Sequence, residues 1–446
     1  MNIRDIQRKV GLEFVFEQLE VKSPFGRELI KDAGFYQSSY ELSAEFERIS
    51  LLRANKDLDA ISHELDRHLG HLKDVRASME RIRRSVRLTI DELYEIKFFL
   101  IEIIHIAEIY NKDVSLPGIP LQDMTPALDI LDPRKERKYS FSIWDNASEK
   151  LAQIRSRKRE IEARLFGAEN NAGIRLKWDE ICAAEDAEEK AVCEMLSKKL
   201  SPYGEQMIKN AENAGRIDLL IRKAKMQGTV VPVIRDGDMI FVEMINPEIS
   251  ARLNAGGEKF IPVSIEAGSG ATVITGANMG GKSVALKTIA LNVALCMCGF
   301  PVFAKRALLG MISDICLIYE NYENSAQGLS SFGGEMVRIS EAIEGLNRES
   351  LLLLDEPARG TNPDEGAAIV KGLVEYLNSL ESISLVATHF DGVASLGGRH
   401  YRIDDFHLKE CALNEPIPRK ALETCRLLGM NEKILIKIEK HLDDRK

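Results

Sequence analysis

The chain has 446 residues, about three times the length of a typical domain, so its length predicts two or three domains. Hydrophobic residues make up 45% and charged residues 29%, which excludes a largely disordered protein. The 60 basic residues are outnumbered by 69 acidic ones, and the formal net charge of −9 argues against nonspecific coating of nucleic acid, although a local basic groove stays open.

The first half of the chain predicts amphipathic helices. Leucine and isoleucine recur at helical spacing among charged residues, and glycine and proline are sparse. A long charged helix is expected over residues 148–166, followed by a polar turn over 167–173. A second long helix is expected over about 187–226, with Pro202 as a point of interruption. We therefore expect an elongated all-helical domain over residues 1–228.

Short apolar strands that alternate with helices characterise the next part of the sequence. The strands are expected at residues 272–275, 351–354 and 384–387. Near-continuous apolar runs at this spacing are typical of buried parallel strands. The pattern predicts an α/β domain over residues 229–415, followed by a helical segment over 416–446.

A glycine-rich loop follows the first of these strands. It carries the pattern G-x-x-x-x-G-K-S in Gly276, Ala277, Asn278, Met279, Gly280, Gly281, Lys282 and Ser283. The glycines let backbone N–H groups converge on phosphate oxygens, and the N-terminus of the following helix adds positive potential. We expect ATP to bind here, with Lys282 on the β- and γ-phosphates and the Ser283 hydroxyl on Mg²⁺.

An acidic pair and a histidine follow the other two strands. Asp355 comes directly after residues 351–354 and is expected to hold Mg²⁺, while Glu356 would polarise the attacking water. His389, just beyond the third strand, is placed to contact the γ-phosphate or the same water. Hydrolysis, as distinct from binding, therefore depends on Glu356.

A second turn with glycines and hydroxyl groups spans residues 330–336. Ser330, Ser331 and Gly333 precede a helical stretch, and alone they predict only a loop with a helix cap. Since no other segment of the sequence offers a second anion-binding turn, these residues are candidates for contacting an ATP that lies between two subunits.

Together these motifs resemble those of the MutS family of ATPases. Residues 275–283 are similar to the family's phosphate loop, with Ala277 where proline is usual and Val284 where threonine is usual. Residues 330–336 resemble the signature loop that reaches the ATP of the opposite subunit, and residues 355–366 resemble the extended magnesium motif. The resemblance implies an ABC-type P-loop ATPase domain and a dimer, with an identical or related MutS-like subunit, that has two composite ATP sites.

The helical half is similar to the family's core and lever region. The resemblance therefore implies an α plus α/β fold, in which an elongated core/lever domain precedes the ATPase domain and residues 416–446 supply dimerisation helices. The clamp that crosses DNA is expected to be reduced to about residues 167–185, and the mismatch-reading and connector domains have no counterpart. The F-x-E spacing of mismatch readers occurs at residues 241–243, where the β-prone context favours a strand.

Two functions stay open at this point, besides a scaffold that binds ATP without turnover. The family role is an ATPase whose lever motion acts on mismatched or structured DNA. The alternative is a protein-remodelling ATPase that acts on a client protein, such as a MutS-like reactivating factor of an adenosylcobalamin-dependent aminomutase. Phosphate contacts could come from basic residues of the lever region, although a charged, solvated helix face is the favoured explanation of these residues. They are Arg134, Lys135, Arg137, Lys138, Arg155, Arg157, Lys158, Arg159 and Arg164.

The cysteines and the N-terminal sequence bear on the compartment. Seven cysteines form an odd set without a C-x-x-C pair, which favours reduced thiols. The first residues are charged, and every apolar run is shorter than the ~20 residues that a membrane crossing needs. We expect a cytoplasmic protein without a membrane partner.

Overall fold

The computed structural model of the protein describes residues 10–165, 172–277, 280–319, 331–415, 425–426 and 429–443. These residues form two compact units. The sheet unit comprises the described parts of Met1–Leu19, Ala33–Ser50 and Met226–Lys446, and the helical unit comprises Glu20–Asp32 and Leu51–Lys225.

The unit boundaries differ in part from the expected helical domain over residues 1–228. The change at residue 226 lies close to the expected boundary, but residues 10–19 and 33–50 group with the later part of the chain. The Phe16 ring lies 5.0 Å from the Phe300 ring, and the Tyr36 N–H donates to the Met297 carbonyl at 2.8 Å. Such long-range contacts are not visible in a helical periodicity.

Helices make up most of the first half of the chain. They are α1 (Leu12–Glu17), α2 (Pro24–Lys31), α3 (Ser39–Ala54), α4 (Leu58–His71), α5 (Arg76–Arg83), α6 (Ile90–Asp113), α7 (Thr125–Leu131), α8 (Glu149–Leu165), α9 (Ala172–Leu200) and α10 (Gly204–Ala224). Five more follow in the sheet unit: α11 (Pro247–Ala255), α12 (Lys282–Met297), α13 (Ser331–Glu344), α14 (Pro363–Asn378) and α15 (Glu432–Asp443).

The two long helices α8 and α9 correspond to the expected charged helices with one difference. Helix α8 matches the expected span, whereas α9 begins at Ala172 and thus earlier than the expected residue 187. A turn at Ser201–Tyr203 separates α9 from α10, at the expected point of interruption. Of the expected polar turn and reduced clamp, residues 166–171 lie outside the described residues, and the remainder belongs to α9.

The sheet unit contains two sheets. Its strands are β1 (Val233–Ile234), β2 (Met239–Met244), β3 (Val263–Ala267), β4 (Gly270–Gly276), β5 (Arg306–Leu309), β6 (Asp314–Ile318), β7 (Ser350–Asp355), β8 (Ile383–Thr388), β9 (Arg399–Asp404) and β10 (His407–Cys411). The larger sheet has the order β10-β9-β4-β8-β7-β6 and is parallel except for β10, and the smaller has the order β1-β5-β2-β3. The expected combination of helices with an α/β part is therefore confirmed.

Burial within these strands agrees with the sequence pattern. All residues of β4 and β8 are buried, as expected for central parallel strands covered on both faces. Phe241 is 1% exposed in β2, so the F-x-E spacing belongs to a strand, as expected. None of the described helices is both long and apolar enough to span a membrane.

Strand register determines which loops meet. Thr275 of β4 pairs with Thr388 of β8, and Ala387 of β8 pairs with Asp355 of β7. The carboxyl ends of the three parallel neighbours thus reach the same edge of the sheet. The glycine-rich loop, the acidic pair and His389 all begin at that edge.

Close packing of α10 against α2 generates a stability prediction. A Cβ on Gly215 would lie 2.7 Å from the Phe25 Cβ, so we expect Gly215→Ala to lower the free energy of unfolding by about 1–3 kcal/mol. Gly70 of α4 has open space around its Cβ position, and Gly70→Ala should raise the same quantity by about 0.5–1 kcal/mol. Urea unfolding followed by circular dichroism measures both, and equal effects of the two substitutions would contradict the packing argument.

Candidate active site

The glycine-rich loop requires glycine at both of its ends. Gly276 ends β4 with φ 152°, and a Cβ there would lie 2.7 Å from the Ile403 carbonyl oxygen. Gly281 has φ 101° and directly precedes Lys282, the first residue of α12. Residues that have a Cβ rarely adopt such backbone conformations. Glycine at these two positions therefore lets the loop curl around an anion at the helix N-terminus.

Other residues of the loop are described in part. The Gly280 N–H donates to the Ala277 carbonyl at 3.1 Å, which closes a turn within the loop. Asn278 and Met279 lie outside the described residues. Ser283 is exposed in the first turn of α12.

Lys282 is held inside the loop by oxygen atoms. Its side chain is 4% exposed, and Nζ donates to the carbonyls of Gly276 at 2.7 Å and Ala277 at 3.1 Å. Nζ also lies 2.8 Å from Glu356 Oε1. The ammonium group therefore links the loop directly to the acidic pair that follows β7.

Glu356 is the centre of a chain of charged groups. One carboxylate oxygen contacts Lys282, and the other is hydrogen-bonded to Nδ1 of His389. Burial alone would raise the pKa of Glu356, but the hydrogen bonds from His389 and Lys282 outweigh it, so the pKa lies below its ordinary value. The carboxylate is therefore ionised near neutral pH.

The backbone at Glu356 is in an uncommon conformation. Its φ is 55°, in the left-handed region, and its N–H donates to the Ala387 carbonyl at 2.9 Å. A left-handed non-glycine residue costs about 1–2 kcal/mol relative to ordinary backbone. Such strain is concentrated at functional sites, and here it accompanies the contacts of the carboxylate with Lys282 and His389.

Asp355 differs from its neighbour in its electrostatic environment. Burial raises its pKa above the ordinary value, the charge of Glu356 adds to this, and a hydrogen bond from Ser283 opposes it. Its Oδ1 is buried and has no hydrogen-bond partner among the described residues. A buried acceptor of this kind next to a hydroxyl group is suited to a hard cation.

The donor set of Ser283 and Asp355 fits Mg²⁺. In the part of the chain that the structure describes, no three His, Cys, Asp or Glu side chains converge as a metal site. Mg²⁺ does not require such a cluster, because in nucleotide sites it takes one or two protein ligands and completes its shell with phosphate oxygens and water.

The second turn is described only from its helix onward. Ser330 and the side chain of Ser331 lie outside the described part of the chain. Helix α13 begins at Ser331, so Gly333 lies in its first turn. The sequence had predicted that Ser331 and Gly333 lie in a loop before the helix, and this part of the prediction is wrong.

The basic residues of α8 are largely engaged in ion pairs. Arg155 contacts Asp145 at 2.8 Å, Glu185 at 2.9 Å and Glu189 at 2.7 Å, and Lys158 also pairs with Glu185. Three basic residues that precede this helix pair with carboxylates as well: Lys135, Arg137 and Lys138. These positive charges are therefore compensated within the helical unit.

No local sequence pattern indicates the buried histidine that lies behind the loop. His400 of β9 is 1% exposed, its Nδ1 contacts the Ala412 carbonyl at 2.7 Å, and its Nε2 contacts Thr275 Oγ1 at 2.7 Å. Since a carbonyl only accepts, Nδ1 carries the proton and Nε2 accepts from the threonine hydroxyl. Thr275, which directly precedes Gly276, is thus linked through hydrogen bonds of His400 to Ala412, which follows β10.

The opposite pKa shifts of the two adjacent carboxyl groups predict opposite effects of neutral substitutions. Asp355→Asn removes a charge that burial disfavours, so without Mg²⁺ at pH 7 we expect the free energy of unfolding to be retained or raised by up to about 1 kcal/mol. Glu356→Gln removes two favourable pairings and should lower it by about 1–3 kcal/mol. Denaturant unfolding at pH 7 measures both.

The pH dependence provides the control. A raised folded-state pKa makes the Asp355 charge unfavourable only above the ordinary value of 3.8, so any gain from Asp355→Asn should disappear as the pH falls towards that value. The loss from Glu356→Gln should also shrink in acid, because the wild-type carboxylate is then protonated. Changes of the same sign at pH 7 would contradict the assignment.

Comparisons with known proteins find relatives of this chain. Residues 272–421 match the model of the family described as MutS domain V. The chain is similar to proteins named Endonuclease MutS2: it is 28% identical to that of Thermomicrobium roseum over 281 residues, which are 58% of this chain and 36% of that protein. The identity to that of Streptococcus gordonii is 31% over 210 residues, which are 46% and 26% of the two chains.

A third relative has a similar identity and coverage. The Endonuclease MutS2 of Lactococcus lactis subsp. lactis is 28% identical over 267 residues, which are 56% of this chain and 34% of that protein. The chain therefore spans about a quarter to a third of the length of these relatives. The resemblance inferred from the motifs is confirmed, and the matched residues 272–421 are an ATPase domain of the MutS family.

Proposed function

We propose that the protein is a Mg²⁺-dependent ATPase that binds ATP at residues 276–283 and hydrolyses it with Glu356. The observation that supports this most directly is the contact of Lys282 with both the glycine-rich loop and Glu356. The ionised carboxylate of Glu356 lies beside the loop, and its other oxygen is hydrogen-bonded to His389. A phosphate-binding lysine, a base and an orienting histidine are therefore in direct contact.

The order of events follows from the competition for Lys282. The triphosphate accepts hydrogen bonds from the ammonium group, so Lys282 leaves Glu356 when ATP enters the loop. The released carboxylate oxygen can then accept a proton from the water that attacks the γ-phosphate. His389 holds the other oxygen and keeps the carboxylate oriented. Mg²⁺, bound by Ser283 and Asp355, would neutralise charge on the phosphate oxygens.

We propose a dimer, with an identical or related subunit, as the form that completes the site. Ser330, Ser331 and Gly333 would reach the ATP of the other subunit, and a helix N-terminus such as the one that begins at Ser331 suits an anion. Exposed Ile434 and Ile436 on α15 support a dimerising role for residues 416–446.

Mismatched or structured DNA is the client that the family resemblance favours, and we propose it on that ground. The ion pairs of Arg155 and Lys158 argue that these two residues hold α8 to its neighbours rather than contact DNA. Arg157 is exposed on the same helix and remains a candidate for a phosphate contact. A protein client has no comparable support.

Variants of two charged residues test the ATPase proposal. We expect Glu356→Gln to lower the rate of phosphate release at least about 100-fold, the usual scale for a general base, and to leave ATP affinity within a few-fold of the wild type. Lys282→Ala should abolish ATP binding. Phosphate release and fluorescent-nucleotide titration are the measurements, and Lys371→Ala on α14 is the control that should change neither.

Two results would overturn this assignment. Turnover that survives Glu356→Gln would mean that another group polarises the water. Wild-type protein that fails to bind ATP with Mg²⁺ would contradict the nucleotide site itself.

Two arginines on α8 give a matched test of DNA binding. We expect Arg155→Ala to lower the melting temperature, because Asp145, Glu185 and Glu189 each lose one ion pair, and to leave DNA affinity at low salt largely unchanged. If this helix contacts DNA, Arg157→Ala should weaken binding without lowering the melting temperature. Thermal unfolding and fluorescence anisotropy with mismatched, branched and homoduplex DNA separate these outcomes. No binding of any DNA at low salt would exclude DNA as the client.

A further inference from the structure

Thr275 is a buried polar residue near the end of β4, directly before the glycine-rich loop. It is 1% exposed, and its hydroxyl donates a hydrogen bond at 2.7 Å to Nε2 of His400, which is also 1% exposed. A buried polar group that loses its partner is destabilising, so each side chain restrains the other. The hydrogen bond therefore holds β4 against β9 at the point where the loop begins.

Strand β9 also restrains the first residue of the loop. A Cβ on Gly276 would lie 2.7 Å from the Ile403 carbonyl oxygen, so the backbone of Gly276 lies close against β9. The Gly276 carbonyl in turn accepts a hydrogen bond from Lys282 Nζ at 2.7 Å. A displacement of Thr275 relative to β9 would therefore move the Gly276 carbonyl, and with it the ammonium group of Lys282.

The other ring nitrogen of His400 contacts the segment that follows β10. Nδ1–H donates to the Ala412 carbonyl at 2.7 Å, and the Glu415 N–H donates to the same carbonyl at 3.1 Å. Glu415 also forms an ion pair with Arg402, which lies two positions after His400 and thus on the same face of β9. The Ala412 carbonyl is therefore held in place, and it selects the tautomer of His400 whose Nε2 is an acceptor.

The polarity of this pair is not explained by stability alone. Two apolar side chains of suitable size could fill the space between β4 and β9, since a buried hydrogen bond contributes little net stability. A fully paired polar network instead specifies one arrangement of the groups that it connects. A defined position is what the loop requires, because Lys282 is held by the carbonyls of Gly276 and Ala277.

We propose that His400 is a positioning residue for ATP binding, which holds the start of the glycine-rich loop in place through Thr275. Its own orientation depends on the Ala412 carbonyl. This inference rests on the proposed ATP site and adds a residue that acts on the loop from behind, without contact to the nucleotide.

Variants of Thr275 remove the hydrogen bond and leave the histidine in place. Thr275→Val keeps the branched shape without the hydroxyl, whereas Thr275→Ser keeps the hydroxyl. We expect Thr275→Val to raise the Kd for ATP with Mg²⁺ about 10- to 100-fold, since a displacement of about 1 Å at a positioning group has an effect of that order. Thr275→Ser should stay within about 3-fold of the wild type. Fluorescent-nucleotide titration of the full chain measures both.

Two substitutions of His400 separate its two hydrogen bonds. Glutamine places an amide oxygen near the position of Nε2 and can accept from Thr275, whereas asparagine places its amide nitrogen near Nδ1 and can donate to Ala412. We expect His400→Gln to retain most of the ATP affinity and His400→Asn to lose about as much as Thr275→Val. The losses of His400→Asn and Thr275→Val should not add in the double variant, because both remove the same bond. His63→Asn, at an exposed histidine of α4, is the control that should change nothing.

A stability measurement separates positioning from a structural role. Both Thr275→Val and His400→Asn should lower the melting temperature, because each leaves a buried polar group unpaired. Unchanged ATP affinity of folded Thr275→Val, or equal losses in His400→Gln and His400→Asn, would overturn the inference and leave the ATPase proposal intact. Thr275→Val conserves size and decides the question even if a His400 variant fails to fold. Wild-type protein that does not bind ATP with Mg²⁺ would instead overturn the ATP site, and this inference with it.

Discussion

Parallel pairing of β4, β8 and β7 is the constraint on which the candidate site depends. Each strand is followed by polar residues, and the register brings their carboxyl ends to one edge of the sheet. The contact of Lys282 with Glu356, and of Glu356 with His389, is a consequence of that alignment. A shift of one strand would separate these groups, since neighbouring Cα positions along a strand are about 3.3 Å apart.

The two carboxyl groups at this edge are adjacent in sequence, and their pKa values are shifted in opposite directions. Asp355 has a buried oxygen without a partner among the described residues, and burial raises its pKa. The pairings of Glu356 with His389 and Lys282 outweigh its own burial and lower its pKa. The unpaired buried oxygen of Asp355 beside Ser283 lowers the stability of the folded protein. Such a loss of stability is expected where a site is arranged to bind a cation.

Charge is distributed differently in the helical unit. Arginine and lysine side chains on α8 could bind DNA phosphates if they formed no ion pairs within the protein. Arg155, however, contacts three carboxylates, and Lys158 pairs with one of the same three. Ion pairs between long helices stabilise their mutual packing and leave less positive potential for phosphates. The negative net charge of the whole chain is consistent with this arrangement.

The sequence by itself determined the glycine-rich loop, the acidic pair and the buried parallel strands, because each depends on local residue type and short-range spacing. It also predicted the long helices, although α9 begins earlier than its periodicity indicated. Only the tertiary structure decided that residues 10–19 and 33–50 group with the sheet unit. It also decided that His400 contacts Thr275, 125 positions away. Such contacts arise from strand order and packing between distant segments, which no local pattern encodes.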